Sequence, residues 1–87
     1  MWNRRITNPF KRQYKHLDHK LQDIVDETID KLASSADPRK LGDHKKGEID
    51  CYWAYKIGNQ YRILFDPDFE TKTIILLRVG THDAVYG

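Results

Sequence analysis

The sequence predicts an α+β fold, with an N-terminal strand and a helical stretch followed by a small meander of strands. Three observations predict it. Between Phe10 and Leu32, apolar residues recur every three or four positions, the repeat of one helical face. From Ile49 the repeat drops to two, the period of a strand with one buried face. Two further strand-like runs, Tyr61-Arg-Ile-Leu-Phe65 and Thr73-Ile-Ile-Leu-Leu-Arg-Val79, each carry one arginine among apolar residues.

Each element has a local reason. Trp2, Arg4 and Ile6 alternate with Asn3, Arg5 and Thr7, which suits a short strand over residues 1–7. Asn8-Pro9 reads as a helix start, Asn as N-cap and Pro at the first helical position. Phe10, Tyr14, Leu17, Leu21, Ile24, Thr28 and Leu32 then form one stripe, with core packing as its role. Asp18 is placed to cap a second helix and divide the stretch in two. Ser34-Ser35-Ala36-Asp37-Pro38 stops the helix. Residues 39–48 read as a basic loop containing Gly42. In the next strand Ile49, Cys51, Trp53, Tyr55 and Ile57 share the core face, and Asp50, Tyr52, Ala54 and Lys56 the open face. Gly58-Asn59-Gln60 is a hairpin turn. Tyr61, Ile63 and Phe65 face the core and Arg62 the open side, before a turn beginning at Asp66-Pro67-Asp68. The last strand, apolar on both faces, reads as central, with Thr73, Ile75, Leu77 and Val79 inward and Ile74, Leu76 and Arg78 outward.

The 87 residues read as one domain spanning 1–87, 39% hydrophobic and 32% charged, which suits a soluble fold rather than a disordered chain. No apolar run approaches the ~20 residues that span a bilayer, and the polar start shows no signal peptide, so no membrane partner and a cytoplasmic location are expected. The single cysteine, Cys51, cannot form an internal disulfide and reads as a buried structural thiol. The net charge of +2 hides an asymmetry. Arg4, Arg5, Lys11, Arg12, Lys15 and Lys20 crowd the first 20 residues, and Arg39, Lys40, Lys45 and Lys46 a second stretch, while acids collect on Asp23, Asp26, Glu27 and Asp30. A basic side can hold a polyanion, although taken alone it is more often a solvated surface.

Strand parity puts Lys56, Arg62 and Arg78 on one sheet face, with His82 and Tyr86 following directly. Singly, Lys56 and Arg62 read as solvated surface residues and His82 as a capping histidine. Arg78 interrupts Ile-Ile-Leu-Leu and needs a partner if buried. Jointly they supply cations and a group titrating near neutrality, which is what phosphodiester chemistry on RNA requires. His16 and His19 have a spacing zinc can use but no Cys or Glu companion, so no metal and no cofactor are expected. No phosphate-binding glycine loop or serine-nucleophile motif occurs.

The order strand, helix pair, basic loop, Tyr61–Phe65 strand and a strand closing in Arg78-Val-Gly-Thr-His82 resembles the RelE/YafQ toxins of type II toxin–antitoxin systems, in the RelE/ParE superfamily. The resemblance covers nearly the whole chain and is most specific at Tyr61–Phe65 and Arg78–Tyr86. It implies two N-terminal helices packed on a small, mostly antiparallel four-stranded sheet. It implies a ribosome-dependent mRNA endonuclease, an mRNA interferase that inhibits translation, with the ribosome and mRNA as partners and a cognate antitoxin as inhibitor. By position it makes Arg62, Arg78 and His82 active-site residues, Tyr86 an aromatic substrate contact, His44 the loop histidine after an aspartate, and Lys56 the basic residue of the preceding strand. An ungapped match sets Trp53 and Tyr55 where RelE has lysines; shifting the pairing by one at Gln60 keeps them in the core.

The expected reaction is attack of a 2′-hydroxyl on the adjacent phosphate, giving a 2′,3′-cyclic phosphate, with that product pattern implied by the resemblance. His82 transfers one proton and His44 or Lys56 the other. Arg62 and Arg78 stabilise the developing charge, and Tyr86 stacks on or orients a nucleotide. Lys11, Arg12, Lys15, Lys45 and Lys46 meet ribosomal RNA phosphates by charge. Two other readings stay open: a ParE-like toxin acting on DNA gyrase without catalysis, and a catalytically inactive RNA-binding relative.

Overall fold

A computed structural model describes residues 1–46, 51–81 and 84–85, with only the backbone described at Lys45, Lys46 and Cys51. The expectations for Ile49, Asp50, His82 and Tyr86, and for the side chains of Lys45, Lys46 and Cys51, fall outside the described residues. In chain order the elements are β1 (Asn3–Ile6), α1 (Asn8–Lys15), α2 (His19–Ser34), a 3-10 turn (Pro38–Leu41), β2 (Asp43–Lys46), β3 (Cys51–Ile57), β4 (Tyr61–Asp68) and β5 (Thr73–Thr81). The strands form one sheet in the order β1-β5-β4-β3-β2, parallel only between β1 and β5. The class is α+β as expected, with five strands rather than four. The added strand is β2, where the sequence suggests a loop. Asp43-His-Lys-Lys has no apolar alternation, and this edge strand forms through backbone pairing to β3.

The helices begin close to where capping chemistry places them. Thr7, not Asn8, caps α1: its hydroxyl oxygen accepts the Phe10 N–H at 3.4 Å, and Asn8-Pro9 form the first turn. Asp18 caps α2 as expected, its carboxylate accepting the Leu21 N–H at 2.8 Å. Asp18→Ala is expected to cost about 1 kcal/mol of stability. An unchanged urea midpoint would contradict this capping role. The break between the helices resets the apolar stripe. In α2, Val25, Thr28, Ile29, Leu32 and Ala33 are buried while Ile24 is 37% exposed, contrary to the continuous stripe. The buried Thr28 hydroxyl donates to the Ile24 carbonyl at 2.8 Å, so its burial leaves no orphan donor.

One face of the sheet meets the helices. Phe10, Val25, Ile29 and Leu32 pack there on Ile57, Ile63 and Phe65, with Trp53, Tyr55 and Tyr61 at the margin, which is the phase expected for β3 and β4. Ion pairing of Arg4 on β1 to Asp30 on α2 ties the edge strand to the same layer. The β3–β4 loop turns through Gly58 at φ +61°, a left-handed position open to glycine. β4 runs on through Asp66 and Pro67 to Asp68, past the expected turn, pairing with β5 alone beyond Phe65. Pro67 therefore lacks an N–H where no β3 acceptor needs it.

β5 departs most from the sequence reading. Leu64 pairs with Arg78 but Phe65 pairs with Leu76, so Leu77 is an extra residue in a β-bulge. A bulge resets strand parity. Ile74 and Leu76, read as outward, are buried in the helix-side core with Val79, whereas Leu77, read as inward, packs on the opposite face. Thr73 and Ile75 likewise pair with Asp68 and Asp66 on that opposite face. Only Val79 inward and Arg78 outward keep the expected sides.

Candidate functional site on the sheet face

The face away from the helices is not simply open. Ala54 on β3 and Leu64 on β4 are buried there beneath Val85, with Tyr52 and Leu77 alongside. Of these, Leu64, Val85, Tyr52 and Leu77 line a cleft of about 420 Å³ whose wall also includes Thr7, Pro9 and Arg78. The bulge builds the cleft's edge, because it turns both Leu77 and Arg78 to the side of Leu64.

Three cations share the face. Lys56 and Arg62 stand directly opposite each other on β3 and β4. Arg62 in turn faces Gly80, and Arg78 lies two residues back along β5, a diagonal neighbour at roughly 7–8 Å between backbones. Lys56 and Arg78 are exposed and Arg62 is half-buried. Like charges placed side by side repel, and none of the three forms an ion pair among the described residues. An anion set between them would relieve that repulsion.

Gly80 and α1 bring the C-terminal segment here. Gly80 has φ +148°, and a Cβ on it would stand 3.1 Å from the Cβ of Ala84. Glycine therefore lets the chain fold back over the sheet. The Ala84 N–H donates to the Thr81 hydroxyl at 3.3 Å, and Val85 reaches the apolar floor. His82 and Tyr86 lie outside the described residues; their described neighbours are Thr81, Ala84 and Val85.

β1 stops pairing at Leu76, and α1 takes its place beside the rest of β5. The Thr7 hydroxyl donates in a forked bond to the Leu76 and Leu77 carbonyls at 2.8 and 3.1 Å, and the Thr7 N–H reaches Leu76 at 3.2 Å. Gln13 accepts the Val79 N–H and donates to the Ala84 carbonyl, both at 2.9 Å. Side chains of the helix thus satisfy backbone groups that a strand would otherwise take. Sequence reasoning missed Thr7, Gln13 and the floor residues Tyr52, Leu64 and Leu77. A polar residue in a short helix carries no local sign of its partners, and the bulge leaves no pattern in an all-apolar run.

The other expected site residues are divided. His44 pairs with Trp53, its ring stacked on the indole at 4.5 Å and 28°. That places it with the helix-side residues, away from Lys56, Arg62 and Arg78. Lys11 and Lys15 line a different groove of about 380 Å³ between β1, α1 and α2, floored by Ile6, Phe10 and Ile29. There Tyr14 donates to the Asp26 carboxylate at 2.8 Å, which holds the phenol above its usual range, with burial and the charges of Asp26 and Asp23 adding. Arg12, exposed and three residues after Pro9, lies nearer the cleft side of α1. Lys45 and Lys46 are on β2, at the opposite edge of the sheet from β1. Lys11 and Lys15 therefore stand at a groove separate from the cleft.

No helix among the described residues is long and apolar enough to cross a membrane. No curated protein sequence is significantly similar to this one. Solved structures share the fold. The toxin–antitoxin complex RelBE2 from Mycobacterium tuberculosis contains a chain 26% identical, with a TM-score of 0.79 over 93% of this chain and 98% of that one. The intact E. coli RelBE complex aligns at 11% identity with a TM-score of 0.76, over 93% of this chain and 96% of that one. The archaeal RelE–RelB complex from Pyrococcus horikoshii aligns at 18% identity with a TM-score of 0.74, over 92% and 93%. The two helices and five-stranded sheet are thus the RelE-like α+β fold. The family described as the ParE-like toxin of type II bacterial toxin–antitoxin systems matches residues 5–87, and the chain belongs to it.

Proposed function

We propose that this toxin cleaves mRNA on the ribosome and is held inactive by a cognate antitoxin. The observation that carries the reading is the cluster of Lys56, Arg62 and Arg78, unpaired among the described residues, on one face beside an apolar cleft. A polyanion backbone suits the cations, and a nucleobase suits the cleft. In the proposed step His82, as neutral imidazole, takes the proton of the 2′-hydroxyl as its oxygen attacks phosphorus. Arg62 and Arg78 hold the charge that builds on the phosphoryl oxygens. Lys56 gives a proton to the departing 5′-oxygen, leaving a 2′,3′-cyclic phosphate and a 5′-hydroxyl. His44, stacked on Trp53 on the far side, is not needed in this scheme, and Tyr86 orients a nucleotide.

The solved relatives include toxin–antitoxin complexes, which supports an antitoxin partner. The groove between β1, α1 and α2, apolar in its floor and edged by Lys11 and Lys15, suits an amphipathic segment carrying acidic residues. The ParE-like description of the family favours a second reading, a toxin acting on gyrase without catalysis. Primer extension on cellular mRNA after induction separates the two. New 5′ ends, absent for Arg78→Ala and suppressed by co-expression of the adjacent open reading frame, are expected. Intact mRNA together with gyrase inhibition in a purified assay would reject the nuclease.

A further inference from the structure

The sheet face changes chemistry along its strands. Ala54, Leu64 and Arg78 form one row across β3, β4 and β5. Lys56 and Arg62 form the next row toward one end. One row the other way, on the same face of β3, stands Tyr52. Among the described residues lining the cleft, Arg78 alone is charged. The Lys56–Arg62–Arg78 end therefore draws a phosphate. The Tyr52 end takes an uncharged group, because an unpaired charge against apolar walls is costly.

Tyr52 suits a nucleobase. Its ring is half-buried, packs with Ala54 and Leu64, and lines the cleft with Leu64, Leu77 and Arg78. Tyr52 is a diagonal neighbour of Leu64, and Leu64 stands opposite Arg78, so the ring's strand position lies one row, about 7 Å, from that of the guanidinium. Aromatic rings hold single-stranded RNA by stacking, since every base has a π-face. The far wall offers little to read a base edge. The Thr7 hydroxyl already donates to the Leu76 and Leu77 carbonyls and accepts the Phe10 N–H, and Pro9 and Leu77 are apolar. A base here is gripped by its faces, and a purine presents the larger face. We propose that Tyr52 is a base-stacking residue: with Leu64 and Leu77 it takes the unpaired base, purine before pyrimidine, of the nucleotide next to the phosphate that Arg78 holds. The inference rests on the RNA reading above but not on cleavage.

The test measures affinity for ribosomes programmed with an uncleavable mRNA, 2′-deoxy throughout the vacant codon, so binding is read whether or not the protein cuts. Each nucleotide of that codon is made abasic in turn. For the parent, loss of the base at one position should weaken binding about 5- to 150-fold, the usual range for one base on one aromatic ring. Tyr52→Leu keeps apolar packing on Leu64; it should lose the same factor and then be indifferent to the abasic position. Tyr52→Phe should bind as the parent does, and purines at that position more tightly than pyrimidines. Circular dichroism is the fold control. 5-Iodouridine at the position should photo-cross-link the parent at Tyr52, a readout that needs no variant. Equal losses from the abasic position in parent and Tyr52→Leu, pyrimidines held as tightly as purines, or a cross-link at other residues only would overturn the base site alone. A folded parent that does not bind rejects the RNA reading and the base site together. Coupled losses with cleavable mRNA left intact uphold the base site and reject the nuclease.

Discussion

His82→Ala is expected to lower cleavage by about 10²–10⁴, the usual contribution of a positioned proton-transfer group, and to remove one limb of the pH–rate profile. Arg78→Ala is expected to lose about 10²–10³ while keeping both limbs, because a guanidinium acts by charge in the transition state and does not titrate in the working range. The contrast matters more than either magnitude. Arg78 stands on the cleft wall opposite Leu64 and diagonal to Arg62, so its removal takes away charge without disturbing a buried contact. Rates are read in single turnover with circular dichroism as the fold control. A parent-like profile in His82→Ala would make the histidine structural and leave the acid–base assignment wrong.

The largest expected effect on stability comes from Phe65. Its side chain is fully buried, it pairs with Leu76 just at the bulge and with Trp53 on β3, and Gly42 leaves room for its ring. A Cβ on Gly42 would stand 3.0 Å from the ring's Cζ, so the aromatic fills its site to contact. Phe65→Ala should cost about 3–5 kcal/mol in lost transfer energy and cavity. Domains commonly hold only about 5–15 kcal/mol in total, so this variant should lose a large share of its stability and unfold at a much lower urea concentration than the parent. A urea midpoint close to that of the parent would mean that the strand is not held by this core.

How much of this was legible in the sequence follows from where each signal is local. The Asp18 cap, the alternation of Trp53, Tyr55 and Ile57, and the hairpin at Gly58 depend on residues within a few positions of one another, and the structure keeps them. The phase of β5 depends on Leu77, one extra residue in a strand apolar on both sides, which periodicity cannot detect. β2 has no pattern of its own and exists through pairing to β3. At the site, parity alone brought Lys56, Arg62 and Arg78 to one face, because β3 and β4 alternate without interruption and the bulge happens to leave Arg78 on the expected side. His44 went the other way because its side is set by register with Trp53, a nonlocal fact. The Gln13 bonds join α1 to residues 79 and 84, far along the chain, and no local feature announces them.

The most direct measurement is the end chemistry of mRNA after the purified protein meets programmed ribosomes. The nuclease reading predicts fragments ending in a 2′,3′-cyclic phosphate paired with fragments beginning in a 5′-hydroxyl, formed by the parent and lost in Arg78→Ala. Intact mRNA from a folded parent, or fragments beginning in a 5′-phosphate, would contradict it.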